Sequence, residues 1–140
     1  ICDPHHHLWD HPQNRYLLDE LLQDLNGGHK IAATVFVECV SMYRKSGPPE
    51  MRPIGETEFV QGIAAQSASG QYGPTAVAVG IVSLADLTLG SAVERVLEAH
   101  IAASPNRFRG IRHATSWHPS LVRREHLPPS LQYFPAQRSK

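Results

Sequence analysis

The stretch IAATVFV, Ile31 to Val37, is almost unbroken in apolar residues and rich in β-branched and aromatic ones. That composition predicts a strand buried on both faces of a parallel sheet, because a half-exposed strand would alternate polar and apolar residues. AVAVGIVS, Ala76 to Ser83, has the same character. Between them, GETEFVQGIAAQSASG places Phe59, Val60, Ile63, Ala64 and Ser67 at helical spacing. Glu56 and Glu58 come early, where the positive end of a helix favours acids, and the helix is expected to end near Gly70. Further on, SAVERVLEAHIAAS sets Val93, Val96, Leu97 and Ile101 on one stripe, with Ser91 as N-cap, Glu94 as its capping-box partner and Pro105 as the stop. RFRGIRH, Arg107 to His113, predicts a shorter strand, and YLLDELLQDLNGG upstream predicts a helix closed by Gly27 and Gly28.

The resulting order, strand and helix in strict alternation, is a run of βαβ units and therefore a parallel α/β architecture. Order alone leaves an open sheet and a barrel both available. Strands beginning near residues 1, 31, 76 and 107 recur every ~35 residues, and eight such units would approach the ~250 residues of an eight-stranded barrel. The expected fold is thus the N-terminal portion of a TIM (β/α)8 barrel, about four βα units, over residues 1–113. Residues 114–140, with Pro119, Pro128, Pro129 and Pro135 and a basic balance, are expected to be an irregular Pro/Arg-rich tail.

The 140 residues carry 13 Lys and Arg against 13 Asp and Glu, so no global field draws the chain to nucleic acid or an anionic membrane. No apolar run approaches the ~20 residues that span a bilayer, and the expected location is the cytoplasm. Cys2 and Cys39 are too few for a disulfide scaffold and are expected to be buried reduced thiols.

The chemistry concentrates in CDPHHHLWD, Cys2 to Asp10. In an extended segment alternate side chains share a face, so Asp3, His5 and His7 point one way and His6 the other. Two imidazoles then converge, which suits zinc or another first-row divalent ion, with a carboxylate joining or orienting the ligands. A hydrolytic site generally needs three protein ligands and an open water position, of which His5 and His7 supply two. A purification-tag remnant would be a longer histidine run beside linker residues, and a functionless surface cluster is the remaining plain reading.

The Asp-x-His-x-His pattern at the end of a first strand, followed by LW, resembles the amidohydrolase superfamily, specifically its amidohydrolase-2 branch of lactonase-like hydrolases and related decarboxylases. The resemblance continues through ATVFVECVSMYR, GETEFVQGIAAQSASG, VAVGIVSLADL and RFRGIRH, over residues 1 to 113. It implies a metal-dependent TIM-barrel hydrolase in which His5 and His7 hold a divalent metal, zinc or manganese, although some lactonase-like relatives work without one. Asp3 matches the acidic position that opens the motif. The family's further ligands and catalytic Asp come from strands five, six and eight, so the general base is expected outside this chain, which reads as the N-terminal half of a longer enzyme.

On the rim where barrel enzymes place functional groups, Glu38 ends the second long strand and is a candidate to bind substrate or to hold a ligand histidine. Arg112 and His113 end the fourth strand, where a guanidinium suits a substrate carboxylate and an imidazole suits a carbonyl or lactone oxygen. Asp86 reads as a turn cap, Trp9 as a packing anchor and His100 as a packed histidine. His11, His29, His118 and His126 have no supporting neighbours. The loop SMYRKSGPPEMRPIGE, Ser41 to Glu56, is long for a βα connection, and Tyr43, Arg44 and Arg52 within it are candidates to read an acidic or aromatic substrate. The expected function is hydrolysis of a lactone or amide-like bond in a small-molecule substrate by activated water. The alternatives are a decarboxylase on the same scaffold, or a truncated non-catalytic interaction module. A homo-oligomer is compatible with each.

Overall fold

The structure is a computed structural model that describes residues 1–114. Strand β1 (Cys2–His6) leads into a short hairpin, β2 (Trp9–His11) and β3 (Asn14–Tyr16), then helix α1 (Leu18–Leu25). Strand β4 (Ala33–Val37), helix α2 (Ile54–Ala68), strand β5 (Ala76–Leu84), helix α3 (Glu94–Ala103) and strand β6 (Phe108–Arg112) follow. The main sheet has four strands in the order β1-β4-β5-β6, every pairing parallel. Chain order equals sheet order, as successive βαβ crossovers of one hand produce.

One face of the sheet is sealed by helices. Leu18, Leu21 and Leu25 of α1 and Val60 and Ala64 of α2 pack with Phe36, Val77 and Ile81 of the strands. A fully buried Phe or Ile there stabilises the fold by ~1.5–3 kcal/mol. Val96 of α3 joins Ile54 and Ala85, and His100 stacks on Phe108 with ring centroids 5.3 Å apart. Buried polar groups between α2, α3 and β5 are partnered: the Thr57 hydroxyl lies 2.6 Å from Ser83 Oγ and 2.8 Å from His100 Nδ1, and His100 Nε2 donates to the Leu84 carbonyl at 3.0 Å. That carbonyl can only accept, so Nε2 carries the ring proton and Nδ1 accepts from Thr57. Burial lowers the His100 pKa, which keeps this tautomer neutral.

On the opposite face Val35 and Arg109 flank Gly80, their carbons 3.4 and 3.5 Å from where a Cβ would stand. Strands β1 and β6 are the outer strands, and no further strand pairs with either among the described residues.

Several expectations need correction. Ile101, placed on the buried stripe of α3, is 51% exposed, while His100 beside it is buried. Ser91 does not cap α3: residues Leu87–Val93 form a 3-10 segment and the helix begins at Glu94 after an uncapped Val93. Cys2 is exposed and Cys39 half-buried, though both thiols are free. The hairpin β2–β3 was not anticipated. An α/β chain with a parallel sheet is present, the expected tail from residue 115 lies outside the described residues, and no described helix is long and apolar enough to cross a membrane.

Candidate functional site

Strand alternation delivers the histidines as their spacing requires. His5 Nε2 and His7 Nε2 stand 3.2 Å apart, the rings meeting edge to face at 84°. His7 Nδ1 lies 2.7 Å from the Val37 carbonyl. Because that carbonyl only accepts, Nδ1 holds the proton and Nε2 presents its lone pair toward His5. Two nitrogens bound at ~2.0–2.1 Å to one tetrahedral zinc would sit ~3.3 Å apart, a spacing that the pair matches and that an imidazole N–H···N hydrogen bond matches equally. His6 faces the other way. It is buried, lies 3.2 Å from Thr34 Oγ1 and packs edge-on against Phe36, and burial lowers its pKa to about 4. Asp3 accepts the His5 backbone N–H at 3.1 Å, bracing the turn of chain that aims the ring. Among the described residues no group of three His, Cys, Asp or Glu side chains gathers with metal-binding geometry. The described residues thus offer an ion no more than the two imidazoles at this point.

Glu38 and Arg112, expected as separate substrate contacts, bind each other. Arg112 Nε donates to Glu38 Oε1 at 2.7 Å and Nη2 to the Glu38 carbonyl at 2.7 Å, tying β6 to β4 across the end of β5. The Glu38 side chain is 6% exposed and that of Arg112 is 42% exposed, so the guanidinium keeps an open flank after pairing. The group that orients His7 is the Val37 carbonyl rather than Glu38. His113 turns toward the next connection, its Nδ1 accepting the Leu87 N–H at 3.4 Å and lying 3.9 Å from Asp86 Oδ1. Asp86 caps its turn through Thr88 N at 2.9 Å.

Sequence reasoning missed Glu56. Placed by the helix-dipole argument early in α2, it is 1% exposed. Its Oε1 accepts the N–H groups of Cys39 at 3.1 Å and Ser41 at 2.8 Å, pinning the chain just after Glu38. Burial pushes its pKa up to about 7, and nearby Glu38 pushes the same way against the two N–H donors. The pinned turn is strained, with Val40 at φ 67 and Met42 at φ 55, in the left-handed region that non-glycine residues avoid. Gly55 permits it: a Cβ there would lie 2.5 Å from the Met42 carbonyl oxygen and 2.7 Å from Arg44 N. The glycine before Glu56 was the one sequence signal of this close approach. Glu38 Oε2, Tyr43 Oη and Glu56 Oε2 are all buried without a hydrogen-bond partner among the described residues. Burial raises the Tyr43 pKa, with Glu56 and Glu38 adding to it.

The other loop cations are engaged locally. Arg44 pairs with Glu58, and Arg52 Nε donates to the Gly47 carbonyl at 3.3 Å. Trp9 stacks on Tyr16 with centroids 5.3 Å apart, which makes the hairpin a lip beside the histidines. A cleft of about 440 Å³ runs along the outer side of β1, between His5 and His7 on one wall and Leu21, Leu25 and Ile31 on the other. No protein-family model, curated protein or solved structure matches the chain.

Proposed function

We propose that the chain is the first half of a barrel hydrolase of the amidohydrolase-2 type, in which His5 and His7 hold a divalent ion and the rim of the sheet binds a small substrate. The observation that carries this reading is the 3.2 Å approach of the two Nε2 atoms, with His7 locked in the metal-binding tautomer by the Val37 carbonyl. A bound ion would supply an activated water at neutral pH. Around it, the exposed flank of Arg112 would orient a substrate carboxylate, held in place by its two bonds to Glu38. His113, on the same rim, would contact a carbonyl or lactone oxygen. The parallel sheet in chain order, with helices on one face, supports the barrel half of the proposal. The general base and remaining ligands would come from strands beyond the four described.

The test is a substrate screen on zinc- and manganese-loaded protein using lactones, amides and aromatic carboxylates, with His5→Ala/His7→Ala as control. Ring opening or amide cleavage lost in the control supports the hydrolase, carbon dioxide release supports the decarboxylase alternative, and turnover unchanged in the control contradicts the metal role of the pair.

A further inference from the structure

We propose that Thr34 and His6 are positioning residues for the His5–His7 pair: the Thr34 hydroxyl ties the residue between the two imidazoles to β5 and so fixes the direction from which both face one ion. The inference rests on the metal reading above and on none of its hydrolase chemistry. Strand β1 is not regular beside β4. Asp3 stands opposite Thr34 and His6 opposite Phe36, so three steps along β1 match two along β4. The extra residue lies at Pro4–His5, where proline brings no N–H to the ladder, and a bulge of this kind re-aims the side chains that follow it. Thr34 and Phe36 share the helix-covered face of β4, so Asp3 and His6 both turn to that face, and Asp3 parts from the side expected for it with His5 and His7.

Past the bulge, His6 holds the phase of the strand. It is buried, its Nε2 lies 3.2 Å from Thr34 Oγ1, and its ring meets Phe36 edge-on with centroids 5.8 Å apart. With His6 fixed inward, its two neighbours project from the other side, where His7 Nδ1 meets the Val37 carbonyl and the two Nε2 atoms approach to 3.2 Å. Thr34 in turn is anchored from β5. Ala33 stands opposite Ala76 and Val35 opposite Gly80, so four steps along β5 match two along β4, and Ala78 within that excess has φ 51. The Ala78 N–H donates to Thr34 Oγ1 at 2.9 Å. Thr34 is fully buried, and its one hydroxyl serves both groups, because an oxygen with two lone pairs and one proton accepts from Ala78 and keeps a second bond for His6. Irregularities on both sides of β4 thus meet at one oxygen atom. Ser67 supports the same part of β5 from α2, its Oγ accepting the Val77 N–H at 3.1 Å and donating to the Thr75 carbonyl at 3.0 Å. It is the matched control, since it steadies β5 through other atoms than Thr34 Oγ1.

The test is the zinc affinity of the full chain, by competition with a chromogenic chelator, for Thr34→Val, Thr34→Ser, His6→Phe and Ser67→Ala, each checked for fold by circular dichroism. Thr34→Val keeps the shape and loses both hydrogen bonds, and Thr34→Ser keeps the hydroxyl. His6→Phe keeps a ring against Phe36 and leaves Ala78 bonded to Thr34, so it carries the comparison should Thr34→Val not fold. The expected result is zinc binding ~10–100-fold weaker in Thr34→Val and His6→Phe, the cost of losing a group that orients the ligands from behind, and within ~2-fold of wild type in Thr34→Ser and Ser67→Ala. Unchanged affinity in folded Thr34→Val or His6→Phe would overturn the proposal. An equal loss in Ser67→Ala would overturn it too, by reducing the effect to a general loosening of β5. If the wild-type chain binds no zinc, the metal reading fails separately and the positioning is read from the ring-nitrogen resonances of His5 and His7. Movement in Thr34→Val and not in Ser67→Ala keeps the inference, whereas resonances unmoved in both, or moved alike, overturn it.

Discussion

The packing under α2 and α3 and the C-terminal rim of the sheet are built from neighbouring residues of the same elements, yet they satisfy their polar groups in opposite ways. Under the helices Thr57, Ser83 and His100 close a chain of hydrogen bonds that ends on the Leu84 carbonyl. At the rim Glu38, Tyr43 and Glu56 each keep a buried polar atom without a partner among the described residues, next to two residues held at positive φ. Unsatisfied buried groups and backbone strain both cost stability, and they persist only where the surrounding structure enforces them. The difference makes the packing under α2 and α3 the part that stabilises the sheet, and the unpartnered atoms of the rim support the proposal that its chemistry lies there.

That comparison is broken most directly by removing a side chain from the covered face. Phe36→Ala is expected to cost about 3–5 kcal/mol in urea unfolding, because the ring is fully buried between α1 and α2. Thr57→Val, of the same shape, strands Ser83 Oγ and His100 Nδ1 and should cost ~1–3 kcal/mol.

The rim responds through pH. Glu56 has its folded pKa raised from the ordinary 4.5 to about 7, so the folded state holds this proton more tightly than the unfolded one. Its contribution to stability is therefore present in acid and lost as pH rises from 4.5 through 7. Glu56→Gln cannot ionise and keeps an acceptor for Cys39 and Ser41. Its stability relative to wild type should climb across that window by on the order of 3 kcal/mol, the size of a shift of ~2.5 units. A flat difference would place Glu56 outside the buried rim. The smallest effect is expected from Arg44→Ala, where an exposed pair with Glu58 is worth at most ~1 kcal/mol.

The alternating strands and helices were legible because buried parallel strands leave continuous apolar runs and helices leave a period, both local properties. The β2–β3 hairpin was not: strands of three residues are too short to show alternation, and its stability rests on Trp9 stacking against Tyr16. Ile101 misled because a stripe gives the side of a helix but not how far its neighbours reach. At the site, the convergence of His5 and His7 follows from strand alternation alone. The Glu38–Arg112 pair joins residues 74 positions apart, and Glu56 reaches Cys39 from 17 positions away. Contacts of that span depend on register, which no local pattern encodes.

The central claim, that His5 and His7 form one half of a metal site, is tested most directly by metal content. Untagged, gel-filtered protein is equilibrated with zinc, freed of excess, and compared by plasma mass spectrometry with a folded His5→Ala/His7→Ala variant. The account predicts near-stoichiometric zinc in the native chain and its loss in the variant. Equal zinc in both, or none in a folded native sample, would contradict it.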